Sequence, residues 1–386
     1  MDKPTMKRFL VTASLALMLS SCQTGGIDSK KALAPIPSRT VALMSSKGMR
    51  PQDPIVIRSF KKESELEVWK LNSEGRYALL KTFPICRWSG QLGPKKKQGD
   101  RQAPEGFYTI TPAQMNPNSS YYLSFDTGYP NAYDRAHGRT GNHLMVHGSC
   151  SSAGCFAMTD AAISEIYAIG REAFRGGQRS FQFQSYPFRM TVENMAKYRV
   201  DNNYAFWKNL KQGSDYFEVT GKEPKVSVCN MRYIFGETRD NCEPVLNSAV
   251  MAKAAKDDHA IEELAQKTPA VQLVYNDGGQ HYSFRNKTNN VMVSRPEAIL
   301  SGPREVVVNN TSKTTVPALA FTPAQTSNNE IAGLTTASLP QSRPETAEET
   351  QLAGNQPKPE RDTITEEKPV YRKVINGING LLGSES

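Results

Sequence analysis

One histidine and two cysteines fall within nine positions of the sequence: His147, Cys150 and Cys155, in VHGSCSSAGCFAMTD over residues 146–160. Residues of these types at such spacing can ligate a metal, close a disulfide loop, or pair a thiol nucleophile with the imidazole that takes its proton. A zinc site needs a fourth ligand, and His137 and His143 lie upstream without paired C-x-x-C geometry, so no metal is expected. A Cys150–Cys155 loop is permitted by spacing. The thiol–imidazole pair makes fuller use of the neighbours. Gly154 lets the backbone approach closely, and N–H groups around Gly154 and Cys155 can face an oxyanion. Ser152 can orient His147 or line that oxyanion site. A helix start at Thr159 or Asp160 favours a thiolate.

The cysteine count bears on the same choice. Lys3, Lys7 and Arg8 precede FLVTASLALML and then SSC. That run has the length of a signal-peptide core and is too short to span a bilayer. Residues 19–22 resemble a lipobox, with cleavage before Cys22 and a lipid on its thiol; an ordinary signal peptide containing a cysteine is the alternative. The expectation is an exported periplasmic chain, lipid-anchored to a membrane, the outer one. In an oxidising compartment thiols pair. Of six cysteines, lipidation of Cys22 leaves five, so one stays unpaired. Cys229 and Cys242 flank a turn and make the best pair. Cys86 and Cys150 remain as candidate partners, and Cys155 as the odd thiol.

The elements that must position these residues read mainly as strands. IVIRSF, ELEVWKL, YALLKTFPIC, FYTIT, YYLSF, HLMVHG and SFQFQ carry strand patterns. A helix after Thr159 shows an apolar face of Ile163, Ile166, Tyr167, Gly170 and Phe174. A second helix is expected over 191–212, strands at YFEVT and VSVCNMRYIF, a third helix over 246–266 and a strand at AVQLVYN. The organisation is a signal peptide over 1–22, a flexible tether over 23–50, a catalytic domain over 51–235, an accessory extension over 236–302 and a disordered, Thr/Pro/Ser-rich tail over 303–386. The formal net charge of +9 fits solubility or attraction to anionic wall polymer. Nucleic acid is not an expected partner, since no aromatic-plus-basic stacking motif is present.

His147-Gly148 followed by Ser152-Ala153-Gly154-Cys155 resembles the catalytic motif of the L,D-transpeptidases (YkuD-like domain). The resemblance extends across 51–235, through FPICRWSGQLGPKKKQGDRQAPEGFYTI, and is closer still, to the YafK-like branch, in GYPNAYDRAHGRTGNHLMVHGSCSSAGCFAMTD. It implies a mainly β fold with packed helices (α+β), a β-sandwich catalytic domain, and no cofactor. It implies that Cys155 attacks the meso-diaminopimelate carbonyl of a peptidoglycan stem peptide, with His147 as general base. Ala153 and Ala157 stand where better-known members carry histidine and arginine. That departure and the branch favour net hydrolysis, releasing a murein-linked outer-membrane protein or peptide, over cross-linking. His137, Tyr129 and Tyr133 are candidates for the substrate groove. Two other classes compete: a non-catalytic peptidoglycan-binding lipoprotein, and a disulfide oxidoreductase using Cys150 and Cys155.

Overall fold

The computed structural model describes residues 28–239, 242–285, 293–299 and 302–308. Two five-stranded sheets form the body. β1 (Ile55–Phe60), β2 (Glu65–Leu71), β3 (Tyr77–Pro84), β5 (Gly106–Ile110) and β10 (Phe181–Tyr186) lie in the order β3-β2-β1-β10-β5. β4 (Arg87–Trp88), β6 (Met115–Asn116), β7 (Ser124–Asp126), β8 (Met145–His147) and β9 (Phe156–Ala157) lie in the order β4-β9-β8-β7-β6. β1 and β10 run parallel, with Ile57 opposite Phe183. Parallel neighbours need a long crossover, and here the whole second sheet is spelled out between them.

The sheets pack face to face. Phe183 of β10 meets Phe156 of β9 and Phe125 of β7, with ring centroids 5.6 and 6.3 Å apart. Every residue of β1 and β10 is buried, and several of their polar members find partners, although Ser59 Oγ and Arg58 Nε have none. Gln182 donates to the Pro224 carbonyl, Ser185 to the Pro104 carbonyl, and Arg58 to Ser214 Oγ. The architecture is the expected α+β sandwich.

Helices close the outside: α1 (Asp28–Ala32), α2 (Ser38–Ser46), α3 (Ala132–Ala136), α4 (Asp160–Arg175), α5 (Val192–Lys197), α6 (Tyr204–Thr220), α7 (Ser248–Lys267) and α8 (Pro296–Ile299). Thr159 caps α4, its hydroxyl accepting from the Ala162 N–H at 3.2 Å, and Ile163, Ile166 and Tyr167 turn inward. Two further antiparallel pairs occur among the described residues, the hairpin of β11 (Val226–Cys229) with β12 (Arg232–Phe235), and β13 (Ala270–Val274) with β14 (Arg304–Val308). A buried ion pair closes the polar loop between β4 and β5. Lys61 Nζ lies 2.9 Å from Glu105 Oε1, which also accepts from the Gly93 N–H, while Glu105 Oε2 accepts from Trp207.

Several expectations are corrected. The segment read as a tether packs: Ala32, Ile36, Met44 and Met49 enter the core, and Thr40 donates to Glu165 Oε1 at 2.6 Å. Its apolar residues are too sparse to show a period, and the burial is selective, since Leu33 stays exposed. The helix expected over 191–212 divides into α5 and α6, because Asp201 Oδ1 captures the Asn203 N–H in a local turn. YFEVT is the last turn of α6 rather than a strand. Phe217 packs on Trp69 and Tyr77, and Gly221 ends the helix at φ +63°. Residues 304–308, assigned to the tail, form β14. The remainder of the tail and Cys22 lie outside the described residues.

Candidate active site

The second sheet sets the site by its register. His147 pairs with Ala157 on one side and Ser124 on the other, while Met145 pairs with Asp126. Side chains alternate across a sheet, so His147, Ala157 and Ser124 share one face with Met145 and Asp126. Cys155 directly precedes β9, two positions before Ala157. Val146, Phe156 and Phe125 point the other way and are buried in the core. The imidazole thus lies on one of two short parallel strands and the thiol at the start of the other.

His147 is 2 % exposed. Its Nδ1 lies 2.6 Å from the Gly148 carbonyl. A carbonyl only accepts, so Nδ1 carries the proton and Nε2 is left as the basic nitrogen. Burial pushes the imidazole pKa down, and the hydrogen bond to Gly148 partly opposes this. The ring of Tyr121 lies 4.7 Å away. Gly148 leaves no room for a side chain, since a Cβ there would stand 2.5 Å from Asp160 Oδ1 and 2.9 Å from the Tyr121 carbonyl.

Cys155 is the free cysteine among the described residues and is half-buried. Its Sγ accepts the Met145 N–H at 3.4 Å and reaches the His143 carbonyl at 3.9 Å. Burial raises the thiol pKa; Asp126 raises it further, against the Met145 N–H and Lys95. Both shifts favour the uncharged forms, a neutral thiol on Cys155 and a neutral imidazole on His147.

The turn between β8 and β9 is tightly held. Ser149 and Cys150 adopt φ +64° and +44°, and Gly154 φ +127°, the last a region that glycine fills without strain. The structure pairs Cys86 with Cys150, and Cys229 with Cys242. Ser152 Oγ donates to the Cys155 carbonyl at 2.8 Å and receives the Cys155 and Gly154 N–H groups at 3.2 and 3.4 Å. It also meets Ser89 Oγ at 3.0 Å. Ser152 therefore shapes the turn, and it is the Gly148 carbonyl that orients His147. An oxyanion received by the Gly154 and Cys155 amides would share them with Ser152.

Of the three groove candidates, Tyr129 and Tyr133 are buried in the interior, while His137 is half-buried. Tyr129 is buried and its hydroxyl donates toward the Lys95 and Thr140 carbonyls. Tyr133 stacks on Tyr233, with centroids 4.3 Å apart, and on Phe206. His137 caps α3, with Nδ1 3.0 Å from the Tyr133 carbonyl. Aromatic residues in a polar loop gave no sign of which way they face. Sequence reasoning missed Asp126, whose carboxylate lies 3.8 Å from His143 Nδ1; the Ser-Phe-Asp alternation at the end of YYLSF was the available signal. An apolar cavity of about 220 Å³ between α6, α7 and β12 shares no residue with this face. Among the described residues no group of three or more His, Cys, Asp or Glu is placed to hold a metal ion.

A free thiol directly before one short strand and a buried imidazole on its parallel neighbour are the equipment of a cysteine acyl-transfer domain. Comparison with known proteins agrees with that class. The L,D-transpeptidase catalytic domain family (YkuD) matches residues 61–173. The protein named "Putative L,D-transpeptidase YafK" from Escherichia coli K12 is 45% identical over 205 residues, 53% of this chain and 83% of that protein, and its counterpart from Escherichia coli O157:H7 matches equally. The chain belongs to the L,D-transpeptidase family. Among solved structures, the helical cell shape determining protein Pgp2 of Campylobacter jejuni is 15% identical at a TM-score of 0.29, covering 61% of this chain and 80% of that one. Bd1075 of Bdellovibrio bacteriovorus is 14% identical at 0.26, covering 46% and 78%. Neither score carries an argument.

Proposed function

We propose that this peptidoglycan-directed transpeptidase-type enzyme works through a thioester on Cys155 and serves chiefly to hydrolyse an existing amide. Cys155 Sγ attacks the meso-diaminopimelate carbonyl of a stem peptide while His147 Nε2 takes its proton. The sulfur–carbon bond forms, the carbon–nitrogen bond breaks, and the amine leaves with the proton returned by His147. Water, activated by the same nitrogen, then releases the acid and restores the thiol; an amine in its place gives a cross-link. The carrying observation is a free thiol directly before β9 and an imidazole on its parallel neighbour β8, with Nδ1 occupied by Gly148.

Two side chains support the hydrolytic preference. Ala153 is exposed beside the thiol and offers no polar group to an acceptor. Ala157 is fully buried against the Cys86–Cys150 disulfide, so no charged side chain faces the substrate from that position. The substrate would be a stem peptide linked to an outer-membrane protein or peptide, and the enzyme an exported lipoprotein anchored through Cys22 in the periplasm. The test is product partition by mass. A stem peptide with an amine acceptor and a protein-linked stem are supplied separately. Release from the second with little dimer from the first is expected; abundant dimer and an intact conjugate would reverse the preference.

A further inference from the structure

The residue that fixes the nucleophile's amide is itself held from the far end of the chain. Ser152 N–H donates to Ser294 Oγ at 3.0 Å, and the Ser152 carbonyl accepts from Arg101 Nη2 at 3.2 Å. Ser294 N–H donates to the Cys150 carbonyl at 3.3 Å, and the Ser294 carbonyl accepts from Arg87 Nε at 3.0 Å. Asp277 ties the group together. Its Oδ2 meets Arg87 at 2.9 Å, Arg101 at 3.1 Å and Arg295 at 2.9 Å, while Oδ1 receives the Gly90 N–H at 3.2 Å. Both backbone groups of Ser152 are therefore taken by a side chain of the extension or by one clamped to it. A turn with Ser149 and Cys150 in left-handed conformations persists only where its surroundings over-determine it.

We infer that the extension after β12 is part of the catalytic apparatus, with Ser294 and Arg101 acting as positioning residues that hold the Ser152 turn and, through it, Cys155. Asp277 and Ser294 lie outside the matched catalytic domain, which ends at residue 173. The inference rests on the thioester reading for its kinetic arm only. The path is continuous: Ser294 fixes the Ser152 N–H, Ser152 Oγ receives the Cys155 N–H, and Met145 holds the Cys155 sulfur.

The test uses the full chain with Ser294→Ala, Ser294→Thr, Arg101→Gln and the Ser294→Ala/Arg101→Gln double variant. Asp277 is left intact, because its removal would strand buried Arg87. Melting temperature, kcat and KM on a stem peptide, and the rate of Cys155 alkylation by iodoacetamide against pH are measured for each. Misplacement of a reacting group lowers turnover by roughly 10- to 100-fold, so Ser294→Ala and Arg101→Gln should each lose about that much kcat, with KM little changed and the alkylation profile displaced. Ser294→Thr should restore both readouts, and the double variant should fall no further than either single one. Wild-type kcat and alkylation in folded variants overturn the inference, as does a double variant whose losses multiply. Alkylation needs no substrate. If Cys155→Ala keeps full turnover, the thioester reading fails while the alkylation profiles still decide the positioning role.

Discussion

In the first sheet the strands run five to eight residues, and β1 makes six register pairs with β2 alone. In the second no strand exceeds three residues, and β4 meets β9 in two pairs. The first is held by its own ladder and by apolar burial. The second, which carries Cys155 and His147, is held by what is attached to it: the Cys86–Cys150 disulfide, the Asp277 clamp and Ser294. The two sheets are thus held by different means, and the proposed chemistry rests on the one with the shorter strands.

The comparison breaks most sharply at Cys155. Cys155→Ala is expected to abolish turnover while the melting temperature stays near that of the parent; substantial activity would remove the nucleophile from the second sheet. Next is the Cys86→Ala/Cys150→Ala pair. The bridge closes a separation of 64 residues, and its loss should cost about 4 kcal/mol in denaturant titration, with activity lost even where the protein remains folded. Activity equal to the parent under those conditions would show that the disulfide serves stability alone. His147→Gln should lower kcat/KM at least ~100-fold, or ~2.7 kcal/mol. A loss of only a few-fold would move the base to another residue.

The first sheet supplies the opposite result. Ile57→Val, fully buried in β1, should cost about 1 kcal/mol of stability and leave kcat/KM of the folded protein unchanged. An altered kcat/KM would mean that the sheets are mechanically coupled. The smallest effect lies along the pH axis. Burial lowers the His147 pKa, so the basic imidazole is kept to lower pH than an exposed one. Activity is present above that lowered value and is lost as pH falls through it. The acid limb of kcat/KM should therefore have its midpoint below the ordinary imidazole range, and a midpoint at or above that range contradicts the lowered value.

The same division explains what could be read in advance. β1 is legible because its run opens on Ile-Val-Ile, β2 because Leu66 and Val68 alternate with Glu65, Glu67 and Trp69, and the α4 face because it repeats at helical spacing. His147 and Cys155 are legible as a pair because their chemistry is rare and their separation short. The register that joins them is not, since two-residue strands such as β9 leave no pattern above chance. Asp277 and Ser294 are illegible for another reason. An aspartate and a serine in a polar stretch look like solvent-facing residues until three arginines from elsewhere in the chain are brought to them. The place of Tyr133 is illegible because an aromatic ring in a loop has the same composition whether it lines a groove or stacks on Tyr233.

The pairing of Cys86 with Cys150 also sets a sorting problem for the maturing chain. Cys155 lies five positions beyond Cys150, whereas Cys86 lies 64 before it. Short loops close at lower entropic cost than long ones, so a first oxidation by proximity would join Cys150 to Cys155 and silence the nucleophile. The structure pairs Cys150 with the more distant Cys86 and leaves Cys155 free; a chain bridged first at Cys150–Cys155 would reach it by thiol–disulfide exchange, the Cys86 thiolate displacing Cys155. Maturation therefore turns on a choice between two sulfurs, and the thiol left over is the proposed nucleophile.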